Sequence, residues 1–162
     1  RSHNVIFLGK SGTGKTHLAT SLGIEACKQG FRTRFVTGCG LVNELVEAQE
    51  EHVLSRLLKR YANYDLLIVD ELGYVPFSKI GAELLFEVVS QAYEHHSLMV
   101  TSNLPFEQWV EIFGSERLTG ALLDRLTHRC HILEANGESY RLQQAKKHSK
   151  HRSPQKQNPK PK

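Results

Sequence analysis

The stretch that decides the fold runs Val5-Ile-Phe-Leu-Gly9-Lys-Ser-Gly-Thr-Gly14-Lys15-Thr16-His17. Val5 to Leu8 is a short apolar run ended by glycine, the pattern of a strand buried on both faces. Gly9 to Thr16 fits GxxxxGK[ST], and the residues after it have helical spacing. A strand, a glycine-rich turn and a helix in that order make a phosphate cradle. Glycines let successive backbone N–H groups curl around phosphate oxygens, and the helix N-terminus adds positive potential. Gly9, Lys10, Ser11, Gly12, Thr13 and Gly14 form the loop. Lys15 then reaches the β- and γ-phosphates, and the Thr16 hydroxyl is a ligand for Mg²⁺.

Downstream of the loop, Leu18, Leu22 and Ala26 predict the buried stripe of a helix from Lys15 to Gln29, which Gly30 closes. Phe35-Val36 suggests a second strand, followed by helical spacing through Leu41, Leu45 and Val46, then Val53, Leu57 and Leu58. Asp65 to Asp70 is the clearest strand. Ile80 to Tyr93 reads as a helix with Leu84, Leu85, Val88 and Val89 on one side, and Leu98 to Ser102 as a strand. Trp109 to Phe113 is a short helix and Arg117 to His128 a longer one. His131 to Glu134 looks like a last core strand. Strands alternating with helices imply a mainly parallel sheet covered on both faces, with its ligand crevice at the carboxyl ends of the strands.

The other candidate residues fall at such ends. Leu66 to Val69 runs into Asp70-Glu71, where Asp70 suits the Mg²⁺ shell and Glu71 the polarising of an attacking water. That order of acids favours hydrolysis of ATP over transfer to a bound acceptor. Thr101-Ser102-Asn103 follows the next strand, and Asn103 is placed to sense the γ-phosphate; capping of a helix is the bland reading of the same residues. Arg117, Arg125 and Arg129 lie at spacings that put them near one helix face. They are either arginine fingers, aimed at a neighbouring subunit's phosphate, or a solvated face paired with Glu116 and Asp124. His17 and His128, beside these motifs, are candidate ligands or surface histidines.

Composition bounds the rest. The chain has 162 residues, 40% apolar and 23% charged, enough for one domain. The net charge is +4, but residues 146–162 hold seven Lys/Arg and no acid. Residues 1–145 then carry 14 basic and 17 acidic residues, net −3. The basic character belongs to the tail, which with Pro154, Pro159 and Pro161 reads as disordered and able to contact phosphate backbones. The three cysteines, Cys27, Cys39 and Cys130, form no CxxC pair, and no His/Cys spacing suggests structural metal. A reduced cytoplasmic setting without membrane association is the expectation. The chain begins at Arg1 without methionine and reads as a trimmed one.

Four segments, "FLGKSGTGKTHLA" (7–19), "YDLLIVDELGY" (64–74), "VTSNLPFEQW" (100–109) and "LTGALLDRLTHRCHILEANGESYR" (118–141), occur in the order found in IstB-like transposition helper ATPases. The chain resembles the AAA+ domain of that family, kin of the DnaC-type helicase loaders, over about residues 4–142. The resemblance implies a P-loop NTPase of AAA+ type: a three-layer α/β sandwich on a five-stranded sheet spanning residues 1–145, followed by the tail. It implies ATP and Mg²⁺ as cofactors and ATP-dependent assembly, as a homo-oligomer, on duplex DNA without sequence preference in support of a transposase. Glu71, Asn103, Lys15, Thr16 and Asp70 keep the roles given above. The family's finger falls on Arg125 in "LLDRLTH", with Arg129 as second choice. The alternatives are a helicase loader and a non-catalytic DNA-binding adaptor. Members of the family usually carry a further N-terminal region, so nucleotide binding is expected to survive trimming better than oligomerisation.

Overall fold

Segments of five to seven residues pair side by side into one sheet, and the apolar runs at its centre bury both of their faces. The computed structural model describes residues 2–137. The elements run β1 (Asn4–Gly9), α1 (Lys15–Lys28), β2 (Thr33–Thr37), α2 (Gly38–Glu50), α3 (Leu54–Ala62) and β3 (Leu66–Leu72). They continue as α4 (Lys79–Ala92), β4 (Ser97–Ser102), α5 (Trp109–Phe113), α6 (Glu116–Thr127) and β5 (Cys130–Ala135). The sheet order is β2-β3-β4-β1-β5, and all its pairings are parallel. Where the sequence suggested a mainly parallel sheet, the described residues form a wholly parallel one. The basic tail and its boundary at residue 145 lie outside the described residues.

Strand alternation divides the core unequally. Ile6, Leu8, Leu67, Val69, Leu98 and Val100 join α2 to α6 through Leu41, Leu45, Leu84, Leu85, Val88, Trp109 and Leu122 in one large cluster. Phe7, Ile68 and Met99 face the other way and meet Ala19 of α1 in a small one. The expected stripe of α1 is therefore displaced. Leu18 and Leu22 are exposed, and the buried residues are Ala19 and Gly23. Small residues bring the helix axis close to the sheet: a Cβ on Gly23 would stand 2.6 Å from the tip of Ile68. Close approach keeps the start of α1 level with the strand ends. A second correction concerns β5. It pairs with β1 at the sheet's edge, and Ile132 and Leu133 are about half exposed, so it is not a core strand.

Helix starts follow local chemistry. Thr37, Ser78 and Ser115 cap α2, α4 and α6 by accepting the N–H of Gly40, Gly81 and Leu118. No helix among the described residues is long and apolar enough to cross a membrane.

Asn4 ties three distant elements at the foot of the sheet. Its side chain donates to Leu126 O at 3.0 Å and accepts from Leu98 N at 2.9 Å, while its backbone N–H donates to Arg129 O at 2.9 Å. The residue is buried. Asn4→Ala orphans a buried donor and a buried acceptor, so we expect a loss of about 2–3 kcal/mol in denaturant unfolding. A change under about 0.5 kcal/mol would remove Asn4 from this role.

Candidate functional site

The loop between β1 and α1 takes its shape from two glycines with no room for a side chain or no tolerance of one. Gly9 leaves β1 at φ 149°, where a Cβ would lie 2.4 Å from Ala135 O of β5. Gly14, at φ 89°, caps α1 in the left-handed region. Between them the loop encloses the Lys15 ammonium. Its Nζ donates to Gly9 O at 2.5 Å and Lys10 O at 2.8 Å, with Thr13 Oγ1 at 3.4 Å. Burial draws the Lys15 pKa below the ordinary lysine range, partly opposed by the Asp70 and Glu71 carboxylates.

Because β4 lies between β1 and β3, the ends of those strands meet across it. Thr16 Oγ1 at the start of α1 donates to the Asp70 carboxylate, 2.9 Å from Oδ1 and 3.1 Å from Oδ2. Asp70 is buried, whereas Glu71 is exposed to a cleft of about 890 Å³. Ser11 to His17, Glu71, Tyr74, Thr101, Ser102 and Asn103 line that cleft, which is within the usual size of a small-molecule site. Loop, acids and Asn103 are thus together, although they come from three separate strand ends. Thr16 and Asp70 offer only oxygen donors, a set that suits a hard cation such as Mg²⁺.

Two lining residues have places that the sequence reading did not assign them. Tyr74 is largely exposed beside the cleft; an aromatic three residues past an acid pair carries no signal of its own. Thr101 donates to Asp70 Oδ1 at 2.5 Å and accepts from Glu71 N at 2.9 Å. Its position opposite the acids depends on strand register, which composition does not reveal.

The arginines separate. Arg117 is exposed near the start of α6. Arg125 is half-buried, its guanidinium 4.7 Å from the centre of the Phe86 ring and its Nη1 donating to Ala121 O at 3.0 Å. Arg129 does not continue the helix face. α6 stops at Thr127, and Arg129 turns the chain into β5 at φ 48° with an exposed side chain. His17 is exposed, and His128 pairs with Glu94 at 3.4 Å. Among the described residues no group of three or more His, Cys, Asp and Glu is arranged to hold a metal ion. All three cysteines are unpaired, and burial pushes the Cys130 thiol up to about 11, which keeps it protonated and unreactive at neutral pH.

Comparison with known proteins bears on the fold and the family. Among solved structures, the DnaC helicase loader superposes with a TM-score of 0.69 at 23% identity, covering 82% of this chain and 78% of that one. The replication initiator DnaA bound to AMPPCP and single-stranded DNA gives 0.71 at 20% identity, over 92% of this chain and 45% of that one. The fold is that of the P-loop AAA+ proteins. In sequence, the chain is 44% identical over 144 residues to a protein named for ATP binding in insertion sequence IS5376 of Geobacillus stearothermophilus, covering 89% of this chain and 57% of that one. It is 43% identical over 147 residues to the corresponding IS21 protein of Pseudomonas aeruginosa, covering 91% and 56%. The chain therefore spans a little over half the length of these relatives. A family model described as IstB-like ATP binding protein matches residues 1–148, and with cleft, loop and relatives in agreement the chain belongs to the IstB-like ATP-binding family.

Proposed function

We propose that this chain is the ATP-hydrolysing part of a helper that assembles on duplex DNA as a homo-oligomer and assists a transposase. The observation that carries the reading is the meeting of Lys15, Thr16 and Glu71 at one cleft, with the buried Asp70 joined to it by the hydrogen bond from Thr16. In this reading the loop from Gly9 to Gly14 cradles the phosphates, with His17 at its rim. Lys15 leaves the loop carbonyls to face the β- and γ-phosphates. Thr16 and Asp70 hold Mg²⁺, which when bound supplies positive charge to the phosphate oxygens. Glu71 orients and deprotonates the attacking water, and Asn103 contacts the γ-phosphate from the facing wall. The insertion-sequence names of the relatives favour a transposase over a helicase as the partner. The Lys/Arg-rich segment after residue 145 adds contacts to DNA phosphates.

An interfacial role falls to Arg129 in preference to Arg125. The Arg125 guanidinium is already engaged by Phe86 and Ala121 within the protomer. Arg129 is exposed and held at a defined turn by the bond from Asn4 N to its carbonyl. A guanidinium so placed is available to a neighbouring protomer's γ-phosphate.

Three outcomes test these assignments. Lys15→Ala should weaken ATP binding at least tenfold, about 1.4 kcal/mol, by calorimetry; unchanged affinity would move the site elsewhere. Glu71→Gln keeps the shape of the side chain and removes the base, so ATP should bind while steady-state turnover falls by about 10²-fold. Turnover at the parent rate would leave Glu71 without a catalytic part. Arg129→Ala and Lys15→Ala proteins should each be nearly inactive on duplex DNA yet regain turnover when mixed, one supplying the loop and the other the finger. Arg129→Ala that is fully active alone would return the role to Arg125 or Arg117.

A further inference from the structure

Near its carboxyl end β3 holds one residue more than the strand beside it. Val69 lies opposite Val100, and the next matched pair is Leu72 with Ser102. Between these pairs β3 contributes Asp70 and Glu71, whereas β4 contributes Thr101 alone. The extra residue is accommodated as a bulge in which Glu71 adopts φ 55°, a left-handed conformation disfavoured for any residue with a Cβ.

The bulge has a consequence for the site. Strict alternation would place Glu71 on the face of Leu67 and Val69, inside the large apolar cluster. Instead Leu72 takes that place, 2% exposed, and Glu71 is turned out to the cleft. Bulges beside active sites re-aim side chains in this way, but they also remove backbone groups from the ladder.

Thr101 supplies what the ladder lost. Its hydroxyl oxygen accepts the Glu71 N–H at 2.9 Å, and its hydroxyl proton goes to Asp70 Oδ1 at 2.5 Å. Both Thr101 and Asp70 are almost fully buried, at 1% and 3% exposure, so water does not substitute. Ser102 adds a second stitch, donating to Leu72 O and accepting from Leu104 N. Only a side chain that accepts and donates through one atom can serve both acids. Threonine and serine do so; valine, of the same shape as threonine, does neither.

We infer that Thr101 is the positioning residue of the acid pair: its hydroxyl sets the bulge, and through it the direction in which the Glu71 carboxylate leaves the strand. The inference rests on the reading of Glu71 as the base of an ATP-hydrolysing cleft.

The test compares Thr101→Val with Thr101→Ser in the full 162-residue chain, by two measurements. Amide hydrogen exchange resolved at Glu71, without nucleotide, reports the splice itself. The valine variant should exchange at least about tenfold faster at Glu71 than the parent, with Ile68 unchanged, and the serine variant should match the parent. Steady-state kinetics report the positioning: valine should lower kcat about tenfold or more with KM for ATP within about twofold, and serine should restore kcat. Unchanged exchange at Glu71 in the valine variant overturns the splice. Faster exchange with parental kcat, or a serine variant as impaired as valine, overturns the positioning role. A parent chain with no ATP turnover refutes the proposed function instead, and the exchange comparison still decides whether Thr101 holds the bulge. Should the valine variant fail to melt cooperatively, Thr101→Ala carries the same comparison.

Discussion

The Asp70 carboxylate is buried where the ends of β3 and β4 meet the start of α1, and it accepts hydroxyl protons from Thr16 on one side and Thr101 on the other. A buried carboxylate is tolerated only when its lone pairs are satisfied. Thr16 therefore fixes how far the phosphate loop stands from the acid strand, and Thr101 ties that strand to β4. Thr16 is attached directly to Lys15 and Thr101 is bonded to the Glu71 amide, so the same carboxylate aligns cation, acid and bulge. Loss of the Thr16 hydroxyl would free the loop from Asp70, and loss of the Thr101 hydroxyl would free the bulge, with the sheet left intact in both cases.

What makes this meeting possible is the unequal packing of the sheet. One face carries α2 to α6 and the large apolar cluster, which supplies most of the buried area. The other face, among the described residues, receives α1 through Ala19 and Gly23. A helix seated on leucines would stand farther from the sheet, and its N-terminus would lift away from the strand ends. The small residues sacrifice buried area for proximity. Leu18, Leu22 and Ile24 of α1 are left exposed, as is Phe35 on β2.

The late arginines show how little spacing alone decides. Arg125 and Arg129 are one helical turn apart in sequence, yet the helix ends between them and their surroundings are opposite in kind. Arg125 stacks on Phe86 of α4, where desolvation strengthens a cation–π contact. Arg129 sits at a left-handed turn anchored by Asn4, exposed to solvent. The C-terminus of α6 separates an intramolecular contact from an exposed guanidinium.

Much of this protein was legible in the chain itself. The alternation of strands and helices, the parallel sheet and the phosphate loop follow from local signals: apolar runs of strand length, glycines where φ must be positive, and helical spacing after them. The closeness of Asp70, Glu71 and Asn103 to the loop was legible for the same reason, since all three lie near the carboxyl ends of parallel strands, which converge. The face by which α1 packs, the edge position of β5, the separation of the arginines and the part played by Thr101 were not. Each depends on which residue stands opposite which across strands remote in sequence. A one-residue bulge in β3 turns Glu71 out of the core and brings Thr101 beside both acids, and register of that kind is decided by packing in three dimensions, not by composition or period.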